Sequence, residues 1–174
     1  MAERAHDAEM SSKQSLAAPP GAITAGNAPG LNDGGAATVL MSAARVKESG
    51  ARPLARVVAY ATGGGEPKDL FFAPIDAVQK LMKKMGVKID HFDLIEANEA
   101  FAAQALADGD ALGWDWDRVN VNGGAVALGH PIGASGARVL VTLLHALEAR
   151  GKKTGLATLC LGGGNAVALA VERV

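Results

Sequence analysis

The sequence predicts an α/β protein whose sheet is mostly parallel and ends in an antiparallel pair. From residue 21 onward, short apolar runs of strand length alternate with helical patterns, as in α/β folds. The 22 glycines among the 174 residues cluster at the ends of these runs, where they indicate tight loops. Residues 135–150 form a helical pattern that is apolar on nearly every face, which predicts a buried helix covered by more than one layer.

The first half of the chain contains one ambiguous apolar run and three clearer elements. Residues 34–41 have the length of a strand, although a buried helical turn also fits them. Residues 42–49 predict a short helix with a serine as its N-cap and a glycine just after its end. A β-branched run at 56–62 predicts a strand, and a helix with a proline in its first turn follows over 74–86.

The second half predicts two strands, a helix and a hairpin besides the apolar helix. Residues 93–97 predict a short strand, which an Ala-rich helix from 98 to about 112 follows. Residues 119–128 predict a strand interrupted by glycines. The runs 155–160 and 166–172 are separated by three glycines, which predicts an antiparallel hairpin at the end of the sheet.

Composition and charge exclude several classes of protein. One domain is expected over residues 21–174, after a flexible lead or helix remnant at residues 1–20. The net charge is −1 and no basic run exceeds a pair, which argues against nucleic acid and anionic membranes as partners. The single cysteine, Cys160, excludes an intrachain disulfide and a multi-cysteine metal site. With no apolar run of membrane-spanning length, a cytoplasmic location is expected.

Four glycine-framed segments lie at strand ends, where α/β sheets build their sites. His130 lies in a stiff Gly-His-Pro turn and titrates near neutral pH, so it suits acid or base chemistry, although a backbone-bonded turn histidine has the same pattern. Cys160 ends an apolar strand before glycines, which suits either a reactive thiol or a small buried hydrophobe. Asn98 is an N-cap or an oxyanion donor, and Gly162 turns the hairpin or offers an N–H to an oxyanion.

The four glycine-framed segments, together with their flanking residues, resemble the C-terminal half of the thiolase family, over residues 21–174. They are AGNAPGLNDG at 25–34, NEAFAAQ at 98–104, NVNGGAVALGHPIGASGAR at 120–138 and GLATLCLGGGNA at 155–166. The resemblance implies a βαβαβαββ domain, a mixed sheet with helices on both faces, one of them buried. It also implies acyl transfer between coenzyme A thioesters, by condensation of two acetyl-CoA molecules or cleavage of a 3-ketoacyl-CoA. The thioesters are substrates, and no cofactor is expected.

The same resemblance implies roles for individual residues. His130 corresponds to the histidine that activates the nucleophile, and Cys160 to the cysteine that moves a proton on and off the acetyl α-carbon. Asn98 would hold a water that stabilises the enolate, and the Gly162 N–H would belong to the oxyanion hole. The substrate and CoA site would include Ala100 and Phe101 beside the pantetheine channel, together with Gly30 and Leu70.

The family's nucleophilic cysteine belongs to its N-terminal half, and this chain has no second cysteine. The first hypothesis is therefore a thiolase-type acyltransferase half that works with an N-terminal half from a missing segment or a separate chain, in a homo-oligomer. The alternative is a non-catalytic remnant that oligomerises or binds acyl-CoA, because a helix of the buried type would need cover from elsewhere.

Overall fold

The fold was analysed in a computed structural model that describes residues 23–174. The predicted lead at residues 1–20 lies outside the described residues. The predicted domain boundary at residue 21 also falls there and stays a prediction.

A mixed sheet of four strands forms the centre of the described chain. The strands are β1 (Ala55–Gly64), β2 (Leu94–Ala97), β3 (Thr154–Leu161) and β4 (Asn165–Arg173). They lie in the order β1-β4-β3-β2, and β2 and β3 are parallel while the other two pairings are antiparallel. The α/β class and the terminal hairpin are confirmed. The expectation of a mostly parallel sheet is wrong, because the hairpin strand β4 lies between β3 and β1.

Helices cover both faces of this sheet, as predicted. They are α1 (Ala43–Ser49), α2 (Ala73–Met85), α3 (Ala102–Leu112), the single turn α4 (Ala125–Leu128) and α5 (Ser135–Ala149). The apolar residues of α2 share a cluster with Ile95 and Leu156, whereas those of α5 pack with the strand neighbours Leu94 and Ala157. Since successive strand residues point to opposite faces, α2 and α5 lie on opposite sides of the sheet.

The helix α5 is buried along one face rather than on every side. Its buried residues are Ser135, Val139, Leu143, Ala146 and Leu147. Among the described residues, Ile132–Ala149 is the segment long and apolar enough to cross a membrane, with a mean hydropathy of 1.2. A core helix meets the same two criteria, and α5 uses its apolar residues to pack on β2 and β3.

The ends of α1 follow the sequence signals closely. The Ser42 side chain accepts a hydrogen bond from the backbone N–H of Arg45 at 3.2 Å, which is the N-cap contact. Gly50 ends the helix with φ of 66°, in the left-handed region that favours glycine. The run 34–41 before α1 is neither a strand nor a buried turn. It is exposed and extended, with Val39 83% and Leu40 84% accessible.

The predicted strand over 119–128 is wrong for a local reason. Val119 forms one isolated bridge to Ile95, and the backbone then turns at Asn120 with φ of 47°. The Asn120 side chain accepts from the N–H of Ala97 and donates to its C=O, both at 2.9 Å, and so takes the place of a neighbouring strand. The chain continues into α4. The helix predicted from residue 98 begins only at Ala102.

Gly63 is where β1 passes closest to α2. A Cβ built on Gly63 would lie 2.8 Å from the backbone oxygen of Ala73. We expect Gly63→Ala to lower the free energy of unfolding by about 1–3 kcal/mol, because backbone on both sides must move apart. Urea denaturation measures this loss. Gly65→Ala is the matched control, since no heavy atom lies within 4 Å of its added Cβ. Equal stability of the two variants would contradict the close approach.

Candidate active site

Asn98 lies where β2 ends and is held by both its backbone and its side chain. Its N–H donates to the C=O of Thr158 at 2.9 Å, which extends the pairing of β2 with β3 by one residue. The side chain is 2% exposed. Gln104 Oε1 accepts from the N–H of Ala100 at 3.1 Å, and this bond holds residues 98–101 out of helical conformation before α3. The Asn98 amide therefore has a fixed place at the carboxyl end of the sheet.

His130 follows α4 and meets Asn98 across this end of the sheet. Its Nε2 lies 3.3 Å from Asn98 Nδ2, and its Nδ1 lies 2.6 Å from Ser135 Oγ. Its backbone N–H donates to the C=O of Gly30 at 3.3 Å. Burial, and then the positive charge of Arg138, lower the pKa of His130 below its ordinary value. The imidazole is therefore neutral at pH 7.

Cys160 is near the end of β3, two residues beyond Thr158, and pairs with Ala166 of β4. The half-buried thiol is protonated at pH 7, because burial and then the negative charge of Asp108 raise its pKa. Gly162 is exposed in the turn that follows, and no heavy atom lies within 4 Å of where its Cβ would be. Its backbone is thus open to an approaching group.

The predicted substrate residues fall into two places. The 3₁₀ helix Pro67–Phe72, which includes Leu70, approaches the start of α3, where the rings of Phe71 and Phe101 pack edge to face at 5.0 Å. Ala100 is half-exposed beside Phe101. Gly30 lies instead next to His130, through the backbone hydrogen bond described above. The geometry therefore joins Asn98, His130 and Gly30 in one network and puts Phe101 with the Leu70 segment.

The charged residues around this network were not predicted from the sequence. Glu96 and Asp108 are 1% and 0% exposed, and burial raises the pKa of each to about 7. Gln104 donates to one Asp108 oxygen, and Arg138 Nη2 donates to Asn98 Oδ1 at 3.3 Å. The available signal was a charged residue inside an otherwise apolar strand or helix. Within the described part of the chain, no cluster of three His, Cys, Asp or Glu side chains could hold a metal ion.

Asn98, His130 and Cys160 all lie in a part of the sequence that matches a known family. The family "Thiolase, C-terminal domain" matches residues 51–173, which is more than half of the chain. The chain belongs to the thiolase family. Its sequence is 59% identical over 153 residues to an acetyl-CoA acetyltransferase of Chromobacterium violaceum, and 57% identical over 154 residues to one of Escherichia coli.

The thiolase match covers most of this chain but a smaller part of its relatives. Each of these two alignments covers 88% of this chain and 39% of the relative. Among solved structures, the chain is similar to the Bacillus anthracis acetyl-CoA acetyltransferase, with a TM-score of 0.86 and 51% identity. It is also similar to the Acat5 thiolase of Ascaris suum, solved in complex with coenzyme A, with a TM-score of 0.80 and 43% identity. These two alignments cover 39% and 40% of the solved chains.

The negative charge of Asp108 is, after burial, the second cause of the raised pKa of the Cys160 thiol. We expect Asp108→Asn to increase the rate of Cys160 alkylation at pH 8 by roughly 3- to 10-fold, because it removes a negative charge that raises the thiol pKa. Intact mass after timed exposure to iodoacetamide gives the rate, since Cys160 is the single cysteine. Asp110→Asn, an exposed change on the same helix, is the matched control. Equal rates in the two variants would rule out this influence.

Asp108 also makes stability depend on pH. Its folded pKa of about 7 lies above the ordinary value of 3.8, so the folded state keeps a proton that the unfolded state releases. The free energy of unfolding from this group therefore falls as the pH rises from about 4 to 7. We expect Asp108→Asn to raise stability by on the order of 2–4 kcal/mol at pH 8 and little at pH 4. Urea titrations at both pH values test this; an unchanged difference between them would refute it.

Proposed function

We propose that this chain is the acid/base half of an acetyl-CoA C-acetyltransferase. The reaction is the condensation of two acetyl-CoA molecules and its reverse, thiolysis of a 3-ketoacyl-CoA. The observation that carries the proposal is the contact of Asn98 with His130 beside the end of β3, the strand that holds Cys160. The nucleophilic cysteine would come from an N-terminal half, which accounts for a chain that spans 39% of its relatives' length.

His130 would take the proton of the nucleophilic thiol. Its neutral state at pH 7 supports this role, because an imidazolium has no lone pair to accept a proton. Nδ1 is held by Ser135 at 2.6 Å, whereas Nε2 has only the longer 3.3 Å contact with Asn98 Nδ2, so Nε2 would act as the base once the thiol takes the place of that contact. The resulting thiolate would attack the 3-keto carbonyl carbon of the substrate, and the C2–C3 bond would break to leave an acyl-enzyme and the enolate of acetyl-CoA.

Cys160 would then donate its thiol proton to the α-carbon of that enolate, which yields acetyl-CoA and the Cys160 thiolate. The raised pKa supports this direction, since the resting thiol carries the proton. Incoming coenzyme A would transfer its thiol proton to Cys160 as its sulfur accepts the acyl group from the enzyme. The protonated His130 would return its proton to the nucleophilic cysteine that leaves, which restores the resting state. In condensation the same steps run backwards, with the Cys160 thiolate as base.

Asn98 and Gly162 would stabilise the negative charges that form in these steps. The Asn98 amide is buried and held at both ends, so it needs no reorganisation when an enolate oxygen forms near it. The Gly162 N–H, in an open turn after Cys160, would donate to the oxyanion of the acyl-enzyme step. Phe101 and Ala100 would line the pantetheine channel, with Leu70 and Gly30 at its ends.

An N-terminal half would also cover an apolar strip on this chain. The strip consists of Leu31, Val39 and Leu40, which are 83–85% exposed in an extended segment. This strip favours one other candidate function, a non-catalytic module that oligomerises or binds acyl-CoA. Sedimentation velocity with and without an N-terminal half separates the two, because only the second predicts self-association that an N-terminal half leaves unchanged. The balanced charge and the free thiol support a cytoplasmic site of action.

A reconstituted enzyme tests the proposed function. The N-terminal part of the Chromobacterium violaceum relative is joined to this chain, or co-expressed with it, and thiolysis of acetoacetyl-CoA is measured. We expect activity in the reconstituted enzyme, and a loss of about 100-fold or more in Cys160→Ala and in His130→Ala, because each removes a proton-transfer group. Asp110→Asn is the surface control. A folded but inactive enzyme, or activity that survives Cys160→Ala, would refute the proposal.

A further inference from the structure

Arg138 is a charged residue in the first turn of the apolar helix α5, and the Nε and Nη1 atoms of its guanidinium group are buried. Its Nε and Nη1 atoms have no hydrogen-bond partner among the described residues, and Nη2 has one, Asn98 Oδ1 at 3.3 Å. Burying a cation in this way is costly unless an anion is near. Glu96 is the acidic group that interacts with this charge: its two oxygens are buried without a hydrogen-bond partner, and Arg138 favours the ionised form of a carboxyl whose pKa burial raises to about 7.

The hydrogen bond from Arg138 decides which way the Asn98 amide faces. A guanidinium only donates, so the atom of Asn98 that it contacts must be the acceptor Oδ1. The donor Nδ2 then faces His130 Nε2, 3.3 Å away. An amide turned by half a rotation would put two donors, Nδ2 and Nη2, against each other in a buried place. The charge of Arg138 thus prevents that rotation.

The amide orientation in turn selects the tautomer of His130. Because Nδ2 can only donate, Nε2 must accept and the ring proton must be on Nδ1. Nδ1 lies 2.6 Å from Ser135 Oγ, which donates to the C=O of Pro131 at 3.0 Å. Every donor from Arg138 to Ser135 therefore points the same way. Reversing the direction would lose the bonds at both ends, Arg138 to Asn98 and Ser135 to Pro131.

We infer that Arg138 is a positioning residue: with Glu96 as its buried counter-charge, it fixes the orientation of the Asn98 amide and, through it, the tautomer of His130. The inference deepens the proposed function, because only the Nδ1–H tautomer gives Nε2 the lone pair with which it can accept the proton of a nucleophilic thiol. It also gives a reason for two opposite charges, Arg138 and Glu96, near the end of β2, where apolar side chains would pack at lower cost.

The direct test reads the tautomer of His130 in the 174-residue chain itself. Long-range ¹⁵N–¹H spectra of the imidazole rings at pH 8 distinguish a protonated Nδ1 from a protonated Nε2. The chain has four histidines, and the spectrum of His130→Gln assigns the signal of interest. We expect the wild-type chain to show one tautomer, protonated at Nδ1, and Arg45→Met, an exposed change on α1, to leave it unchanged.

Two variants remove the influence of Arg138. Arg138→Met leaves Glu96 unpaired and can unfold the chain, so the decisive variant is the double change Glu96→Met with Arg138→Met, which removes both charges together. We expect the folded double variant to show a mixture of the two His130 tautomers. If His130 stays wholly protonated at Nδ1 in the double variant, the inference is overturned. The hydrogen bonds of Ser135 to His130 and to Pro131 would then be enough to select the tautomer.

The reconstituted enzyme supplies an independent second readout. We expect the double variant to lose about 10-fold or more in kcat with little change in KM, as expected when a base is held in the wrong tautomer. A fall in KM and kcat that tracks lost stability, with the tautomer unchanged, would indicate a merely structural role and overturn the inference. The reconstituted wild-type enzyme could instead be inactive while His130 shows the single expected tautomer in the wild-type chain and a mixture in the double variant. That outcome would refute the proposed function and leave the role of Arg138 intact.

Discussion

The rest of the site depends on one residue, Asn98, that is bonded in two directions at once. Its backbone continues the parallel pairing of β2 with β3, while its side chain bridges Arg138 of α5 and His130 after α4. Loops that carry reactive groups are usually the mobile part of an α/β fold. Here the loop begins as an extension of the sheet, so the amide has the rigidity of a strand. The position of Asn98, against which His130 packs, is therefore set by the sheet.

This arrangement concentrates buried charge at one end of the molecule. Glu96, Asp108 and Arg138 are all close to the carboxyl ends of β2 and β3, whereas the two apolar clusters extend along both faces of the sheet. Each buried carboxyl costs stability at neutral pH, as their raised pKa values of about 7 indicate. Proteins keep such costs mostly where function requires them. Burial first, and then the charge of Arg138 at His130 and of Asp108 at Cys160, favour a neutral imidazole and a protonated thiol, which are the states an acid/base pair needs.

The sequence predicted those parts of the fold whose signals are local. The serine and glycine caps of α1, the helix α2 and the hairpin of β3 and β4 are each determined by residues within one element. The prediction failed where a distant partner decides the conformation. Asn120 ends a strand because its side chain bonds Ala97, and no pattern within 119–128 contains that information. Likewise, His130 and Asn98 were predicted from their motifs, but Arg138, which bonds Asn98, was not, because the helix around it is apolar.

Two further tethers hold His130 opposite Asn98, and both depend on a glycine that leaves room for a neighbour. Glu99 accepts hydrogen bonds from Asn120 Nδ2 and from the N–H of Val126, both at 2.9 Å, and its carboxylate occupies the space that a side chain at Gly124 would fill. The residue after Asn98 is thereby fastened to the start of α4, and His130 lies just beyond the end of α4. Between α4 and His130, the Asn32 side chain fills the space beside Gly129. These two glycines thus have a specific role. The absence of a side chain lets separate segments lie close together around the hydrogen bonds of Asn98 and His130.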